Sequence, residues 1–210
     1  MPKNRIITVY QFDELSESAK NTARDWFKSG DEFDCECELD YAKSALELIG
    51  FENAEIRFSG FCSQCDGACF KSTIDLPKLL AWLDDRIDTS EFGNWFDGLH
   101  FDGFDLPAFQ WLASSDDFLN SVDYRCEFTD SRYSHEYCAR VSANELGSHS
   151  DAIDEKIEQL RESIDSLRIA LSRKIYRLLE SEYEYHQSDE YVDECIQANE
   201  YEFDINGERI

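Results

Sequence analysis

The sequence predicts an α+β protein with a mainly antiparallel sheet, flanking helices and a long C-terminal helical arm with a heptad-like seam. Three observations carry this reading. Helical and strand patterns are mixed without the regular alternation that builds a parallel sheet. Two pairs of partly alternating segments are joined by short turn-forming links. Residues 151–186 hold no Gly or Pro, and apolar residues recur there at heptad spacing.

In order along the chain, the β-branched run Ile6-Ile7-Thr8-Val9-Tyr10 predicts a first strand. Ser16 then caps an amphipathic helix whose inward positions are Ala19, Ala23, Trp26 and Phe27, closed by Gly30. A second helix from about Glu36 to Leu48 turns Leu39, Ala42 and Leu46 inward, with Ile49 just beyond, and stops at Gly50. Residues 54–61 and 69–74 read as a strand pair across a turn at Gln64-Cys65-Asp66-Gly67, in which Asp66 caps and Gly67 relieves backbone strain. Pro77 opens a short helix with Leu79, Leu80, Trp82 and Leu83. Residues 84–117 mix acids with aromatics and read as irregular.

A second hairpin is expected from the alternation of Val122, Tyr124, Cys126 and Phe128 with Tyr133, His135, Tyr137, Ala139 and Val141 across Thr129-Asp130-Ser131-Arg132. After Gly147-Ser148 the pattern changes abruptly. Ile153, Ile157, Leu160, Ile164, Leu167, Leu171 and Leu178 form a stripe interrupted by Lys174, on a helix roughly 50 Å long at 1.5 Å per residue. Ser188 caps a last helix over 189–198, followed by Tyr201-Glu202-Phe203 and a turn at Asn206-Gly207. The expected organisation is an α+β domain over 1–148, a helical arm over 149–187, and a helix and short strand over 188–210 that return to the domain. The seam can pack on the last helix or on the sheet. Its narrowness favours pairing with a second copy in a homodimer.

The formal charge is −26, from 46 Asp and Glu against 20 Lys and Arg. Such a surface repels nucleic acid and anionic membranes, so neither is an expected direct partner. With 42% hydrophobic and 14% aromatic residues, the chain nevertheless folds. It shows neither a signal-type apolar stretch at its start nor a run of the roughly 18 apolar residues that a membrane span needs. The eight cysteines therefore read as reduced thiols or metal ligands rather than disulfides.

Three stretches carry a resemblance across nearly the whole chain: Phe12-Asp13-Glu14-Leu15-Ser16 with Ala19-Lys20 and Trp26; Phe58-Ser59-Gly60-Phe61 with Ser63-Gln64, Asp66-Gly67-Ala68 and Phe70; and Asp193, Ile196 and Asn199-Glu200-Tyr201-Glu202-Phe203. Together they resemble a widespread family of small proteins of tailed phages and prophages, often labelled antitoxin-like proteins of toxin–antitoxin stability systems. Cys65 stands where that family usually has Gly. The resemblance implies a protein of the host bacterial cytoplasm.

Catalysis is not expected. Cys62 or Ser63 with His135 and an Asp would imitate a nucleophilic triad, but no local motif supports one, and no Walker, dinucleotide-binding or EF-hand pattern occurs. No cofactor is expected either. The alternative is zinc on Cys62, Cys65 and Cys69, with Cys35, Cys37 or a histidine as fourth ligand, against small buried cysteines beside a turn.

The acids are the stronger signal. From Leu178 to Glu208 there are 11 acids and no Lys or Arg. Carboxylates three or four apart on a helix stand about 5–6 Å from one another, a spacing comparable to that of backbone phosphates. Glu180, Glu182, Tyr183, Glu184, Asp189, Glu190, Asp193 and Glu194 are the candidate partner-binding residues, with tyrosine as the anchor. Charge and phage resemblance together imply a counter-defence inhibitor of anti-CRISPR or anti-restriction type. Such an inhibitor would mimic DNA on a basic nucleic-acid-binding surface of a bacterial complex. The alternative is an antitoxin-like module that neutralises a basic toxin.

Overall fold

A computed structural model describes residues 8–30, 32–99, 109–110, 122–145 and 151–210. Its described elements are β1 (Tyr10–Gln11), α1 (Glu17–Gly30), α2 (Glu36–Leu48), β2 (Phe51–Ser59), β3 (Gly67–Ile74), α3 (Leu76–Leu83), β4 (Val122–Phe128), β5 (Ala139–Glu145), α4 (Asp151–His186), α5 (Asp189–Ala198) and β6 (Glu202–Phe203). The fold is α+β. Two compact units divide the chain, one within Glu36–Leu179 and the other drawn from Met1–Cys35 and Glu180–Ile210. This differs from the expected boundaries, because most of the predicted arm belongs with the sheet. None of the described helices is long and apolar enough to cross a membrane.

In the larger unit, four antiparallel strands lie in the order β2-β3-β4-β5. One face buries Ala68, Phe70, Ser72, Ile74, Tyr124, Cys126 and Val141, while the other exposes Glu55, Arg57, Lys71, Thr73, Arg125, Glu127 and Arg140. This alternation is what a sheet with one covered face requires. Ala42, Ala45 and Leu46 of α2 are fully buried. Asp75 caps α3 by accepting a hydrogen bond from the Lys78 N–H at 3.0 Å, and Pro77 sits in the first turn, where its missing N–H costs nothing.

The helix α4 spans the residues that the absence of Gly and Pro predicts, and its apolar stripe is spent inside the chain. Ile157, Leu160, Ile164, Leu167, Leu171, Ile175 and Leu179 are at most 2% exposed. Polar bonds tie the helix along its length to the sheet. The Tyr124 hydroxyl donates to the Ile157 carbonyl at 3.2 Å, and Asp165 accepts from the Val141 N–H at 3.0 Å. Arg168, 1% exposed, donates to Asp165 at 2.8 Å and to the Glu136 carbonyl at 2.7 Å. Tyr176 stacks on Phe61 with ring centroids 5.7 Å apart.

Two expectations are corrected here. Beyond Leu171 the buried line passes through Ile175 and Leu179, leaving Leu178 and Lys174 half-buried. The stripe thus follows the drift of a straight 3.6-residue helix packed on a sheet rather than a 3.5-residue supercoil. These side chains of the stripe are covered within one chain. The strand expected from Tyr133 begins instead at Ala139, paired with Phe128. Residues 129–138 turn because side chains capture the backbone there. Ser131 Oγ accepts from the Tyr133 N–H at 3.1 Å, and His135 Nδ1 accepts from the Tyr137 N–H at 3.2 Å.

In the smaller unit, α1 and α5 pack around Phe12, Leu15, Ala19, Ala23, Val192, Ile196 and Phe203, ringed by Tyr10, Trp26, Phe27, Tyr191 and Tyr201. Ser16 Oγ accepts from the Ala19 N–H at 3.3 Å and Ser188 Oγ from the Tyr191 N–H at 3.2 Å, so both helices carry the caps read from the sequence. β6 pairs antiparallel with β1 through Tyr10–Phe203 and Gln11–Glu202. Of the predicted first strand, Ile6 and Ile7 lie outside the described residues. So do residues 100–108 and 111–117 of the expected irregular stretch; within 84–99 the described structure is turns and one 3-10 turn at Ser90–Phe92.

Because Leu167 is fully buried within the chain, Leu167→Ala is expected to destabilise folding by about 2–5 kcal/mol. Chemical denaturation should show that loss with a midpoint independent of protein concentration.

Candidate functional site

The acids of the C-terminal third separate into two classes once their neighbours are known. Asp193 receives both the Nε and an Nη of Arg24, at 2.6 and 2.7 Å, a bidentate bond between α5 and α1. Asp189 takes Lys28 at 3.0 Å and stands 3.8 Å from Arg24. Lys28, and then Arg24, hold the Asp189 carboxyl below the usual carboxylate range, and the hydrogen bond to Asp193 raises the Arg24 guanidinium further. Glu182 lies 3.4 Å from His186. Tyr183 packs edge-on against Phe33, with centroids 5.4 Å apart. Four of the eight predicted contact residues are therefore tied up by bonds and packing within the smaller unit.

The other four form the exposed or half-exposed acid surface. Glu180 and Glu184 stand one helical turn apart on α4, and Glu190 and Glu194 one turn apart on α5. None of the four makes an ion pair with a described residue. The described cations of the unit are used elsewhere. Lys20 meets Glu17 at 3.4 Å, Arg24 and Lys28 hold α5, and Arg209 lies over the rings of Trp26 and Tyr201 at 4.7 and 4.5 Å. Sequence reasoning located the acids but missed Arg24 and Lys28, whose partners lie more than 160 residues away.

The loop between β2 and β3 is organised by Asp66. Its carboxylate accepts from the backbone N–H groups of Cys62 at 2.7 Å and Ser63 at 2.6 Å, and from the Ser63 hydroxyl at 2.9 Å. These donors pull the Asp66 pKa down. Gly60 adopts φ +33, and a Cβ there would fall 2.8 Å from the Asp66 carboxylate. Gly67 is needed for space rather than for strain relief, since a Cβ on it would meet the Cβ of His135 at 2.7 Å. The motif read across positions 59–70 is thus a self-bonded turn docked on residues 134–135.

The cysteines do not converge. Cys62 and Cys65 are exposed, whereas Cys69 is buried beside Cys138 and Ala139, and burial pushes its thiol up to about 11. Among the described residues no three His, Cys, Asp or Glu side chains are grouped to hold a metal ion. Cys62, Cys65 and Cys69 form no such group. The triad imitation is not assembled either, for Ser63 donates directly to Asp66 and His135 is engaged with its own turn.

Residues 35–189 match the family described as a domain of unknown function, DUF8835. The chain belongs to this family. The DUF8835 match covers the larger unit and all of α4, including the Glu180–Glu184 row, and ends at the first residue of α5. No curated protein and no solved structure matches the chain. The stretches Phe12–Trp26 and Asp193–Phe203 lie outside the DUF8835 match, and the fold brings them together. Phe12 and Trp26 pack edge-on against Phe203 at 6.5 and 5.8 Å, and Gln197 donates to Asp13 at 3.0 Å. In structural terms these residues hold the smaller unit together.

Two outcomes follow from these bonds. Arg24→Ala is expected to cost about 2 kcal/mol of folding stability, read from denaturant midpoints, because it strands a part-buried carboxylate. Since the folded-state pKa of Asp66 is depressed, loop order is complete above the ordinary carboxylate pKa of about 3.9 and is lost as pH falls through the folded value. Amide exchange at Cys62 and Ser63 should quicken over that acid window, and Asp66→Asn should show fast exchange at every pH.

Proposed function

We propose that this protein is a non-catalytic, phage-encoded counter-defence inhibitor of anti-CRISPR or anti-restriction type, working in the host bacterial cytoplasm. It presents carboxylates where a bacterial complex expects DNA phosphates, and so blocks a basic nucleic-acid-binding surface. The observation that carries this reading is the division of the acids. Every described Lys and Arg of the smaller unit is engaged inside it, while Glu180, Glu184, Glu190 and Glu194 stand without cations in two one-turn rows. Carboxylates kept unpaired at such spacing raise the self-repulsion of a chain already at −26, a cost that a polyanion-mimicking surface accounts for. Tyr185, 46% exposed, lies on the same stretch of helix and offers an aromatic anchor.

Two effects are combined in such an inhibitor. Long-range attraction steers the basic partner onto the acidic rows and makes association sensitive to salt. Short-range contacts then hold the complex, as charge alone gives on-rate more than affinity.

The test is capture from bacterial lysate by the tagged wild-type chain and by E180Q/E184Q/E190Q/E194Q, which leaves Asp189 and Asp193 in place. A nucleic-acid-handling complex that wild type retains, that duplex DNA displaces, and that the variant holds at least about tenfold more weakly is the expected result. Equal retention by the variant, or indifference to DNA, would overturn the reading. Capture of one small basic toxin instead would establish the antitoxin-like alternative.

A further inference from the structure

The larger unit has an open cavity of about 460 Å³, lined by Cys37, Glu38, Tyr41, Asn94, Trp95 and Leu178. We propose that it is a binding site for an arginine-type cationic side chain presented by a protein partner. The proposal rests on the reading of a basic partner for the origin of the occupant, but on separate residues for its chemistry.

The walls suit a planar cation. Tyr41 and Trp95 stand nearly perpendicular, with centroids 6.5 Å apart and an interplanar angle of 86°. Both rings are held before any ligand arrives. The Tyr41 hydroxyl donates to the Phe92 carbonyl at 3.1 Å and its ring lies 5.1 Å from that of Phe92, while Trp95 packs edge-on against Phe96 at 4.9 Å. Guanidinium groups bind such π faces, and more strongly where water is partly excluded. The volume falls within the range of small-ligand sites, with room for one extended side chain.

The charge is equally specific. Glu38 is half-buried and makes no ion pair with any described residue. A half-buried carboxylate that no described cation meets is a group an incoming guanidinium can pair with. The nearby acid on the same helix is already satisfied, because Asp40 holds Lys43 at 2.9 Å. On α4, in the turn before Leu178, burial pulls the Lys174 pKa down, with Asp97 opposing and Arg177 adding to that shift. The cavity lining therefore brings together two aromatic rings, a carboxylate and an amide side chain, groups that can match a planar fork of N–H donors.

Trp95 also supplies the readout. Its indole N–H is buried and has no hydrogen-bond partner among the described residues, so its NMR resonance reports changes at the cavity wall. The experiment titrates the full-length protein with ethylguanidinium chloride, using equal sodium chloride and neutral butyramide as controls and Trp95→Phe to assign the signal. A saturable shift of the Trp95 resonance is expected with ethylguanidinium alone. Glu38→Gln and Tyr41→Leu should each weaken the apparent affinity by about fivefold or more while the dispersion of the other indole signals is kept. A Trp95 response no larger than that to sodium chloride, or an unchanged curve in both variants, would overturn the proposal. Ethylguanidinium binding together with undiminished capture by E180Q/E184Q/E190Q/E194Q would uphold the cavity and sink the mimicry of phosphates by the two glutamate rows.

Discussion

Burial of one helical stripe sustains the larger unit. Seven aliphatic side chains of α4, from Ile157 to Leu179, lie at most 2% exposed, each worth about 1.5–3 kcal/mol when removed from water. Arg168 sits among them and is affordable only because its charge is met by Asp165 and its donors by the Glu136 carbonyl. Asp165 in turn fixes the edge strand β5 through the Val141 amide. Strand, helix and the turn before β5 are thus locked by one polar node inside an apolar stripe.

The scarcity of cations is the second constraint, and the fold distributes them with a pattern. On the open face of the sheet Arg57 pairs with Glu55 at 3.2 Å and stacks 3.8 Å over Phe128, and Arg125 pairs with Asp123 at 2.6 Å, so that face is close to balanced. In the smaller unit, Arg24 and Lys28 bind α1 to α5. The surplus of acid is left where no Lys or Arg occurs in sequence, from Leu178 to Glu208. The acids that hold the fold and the acids that face water are therefore different residues, even when they alternate along one helix.

That separation shapes the functional reading. A surface kept unpaired and periodic would suit the proposed partner built for a polyanion, and the cavity beside Glu38 would, on the proposal above, grip one cationic side chain. Under that proposal steering and gripping fall to distinct residues. The β2–β3 loop, by contrast, spends its polar groups on itself. Asp66 is saturated by Cys62 and Ser63, and Gly67 exists to let His135 approach.

The sequence by itself determined the local elements. The absence of Gly and Pro set α4 at Asp151–His186, Ser188 set the start of α5, and the first hairpin was readable from its turn, because caps, breakers and alternation act over a few residues. It also showed where the acids are. Only the tertiary structure decided what they do, since Arg24 reaches Asp193 across 169 positions and no local pattern marks that pair. The same holds for the apolar stripe, whose narrow heptad spacing favoured a second copy, whereas the fold buries it inside the chain. It holds again for the segment 129–138, where side-chain bonds to the backbone replace the expected strand, and for the cavity that gathers Glu38, Trp95 and Leu178 from three distant stretches. Local preferences are written in neighbouring residues, whereas partnership depends on which surfaces the folded chain brings into contact.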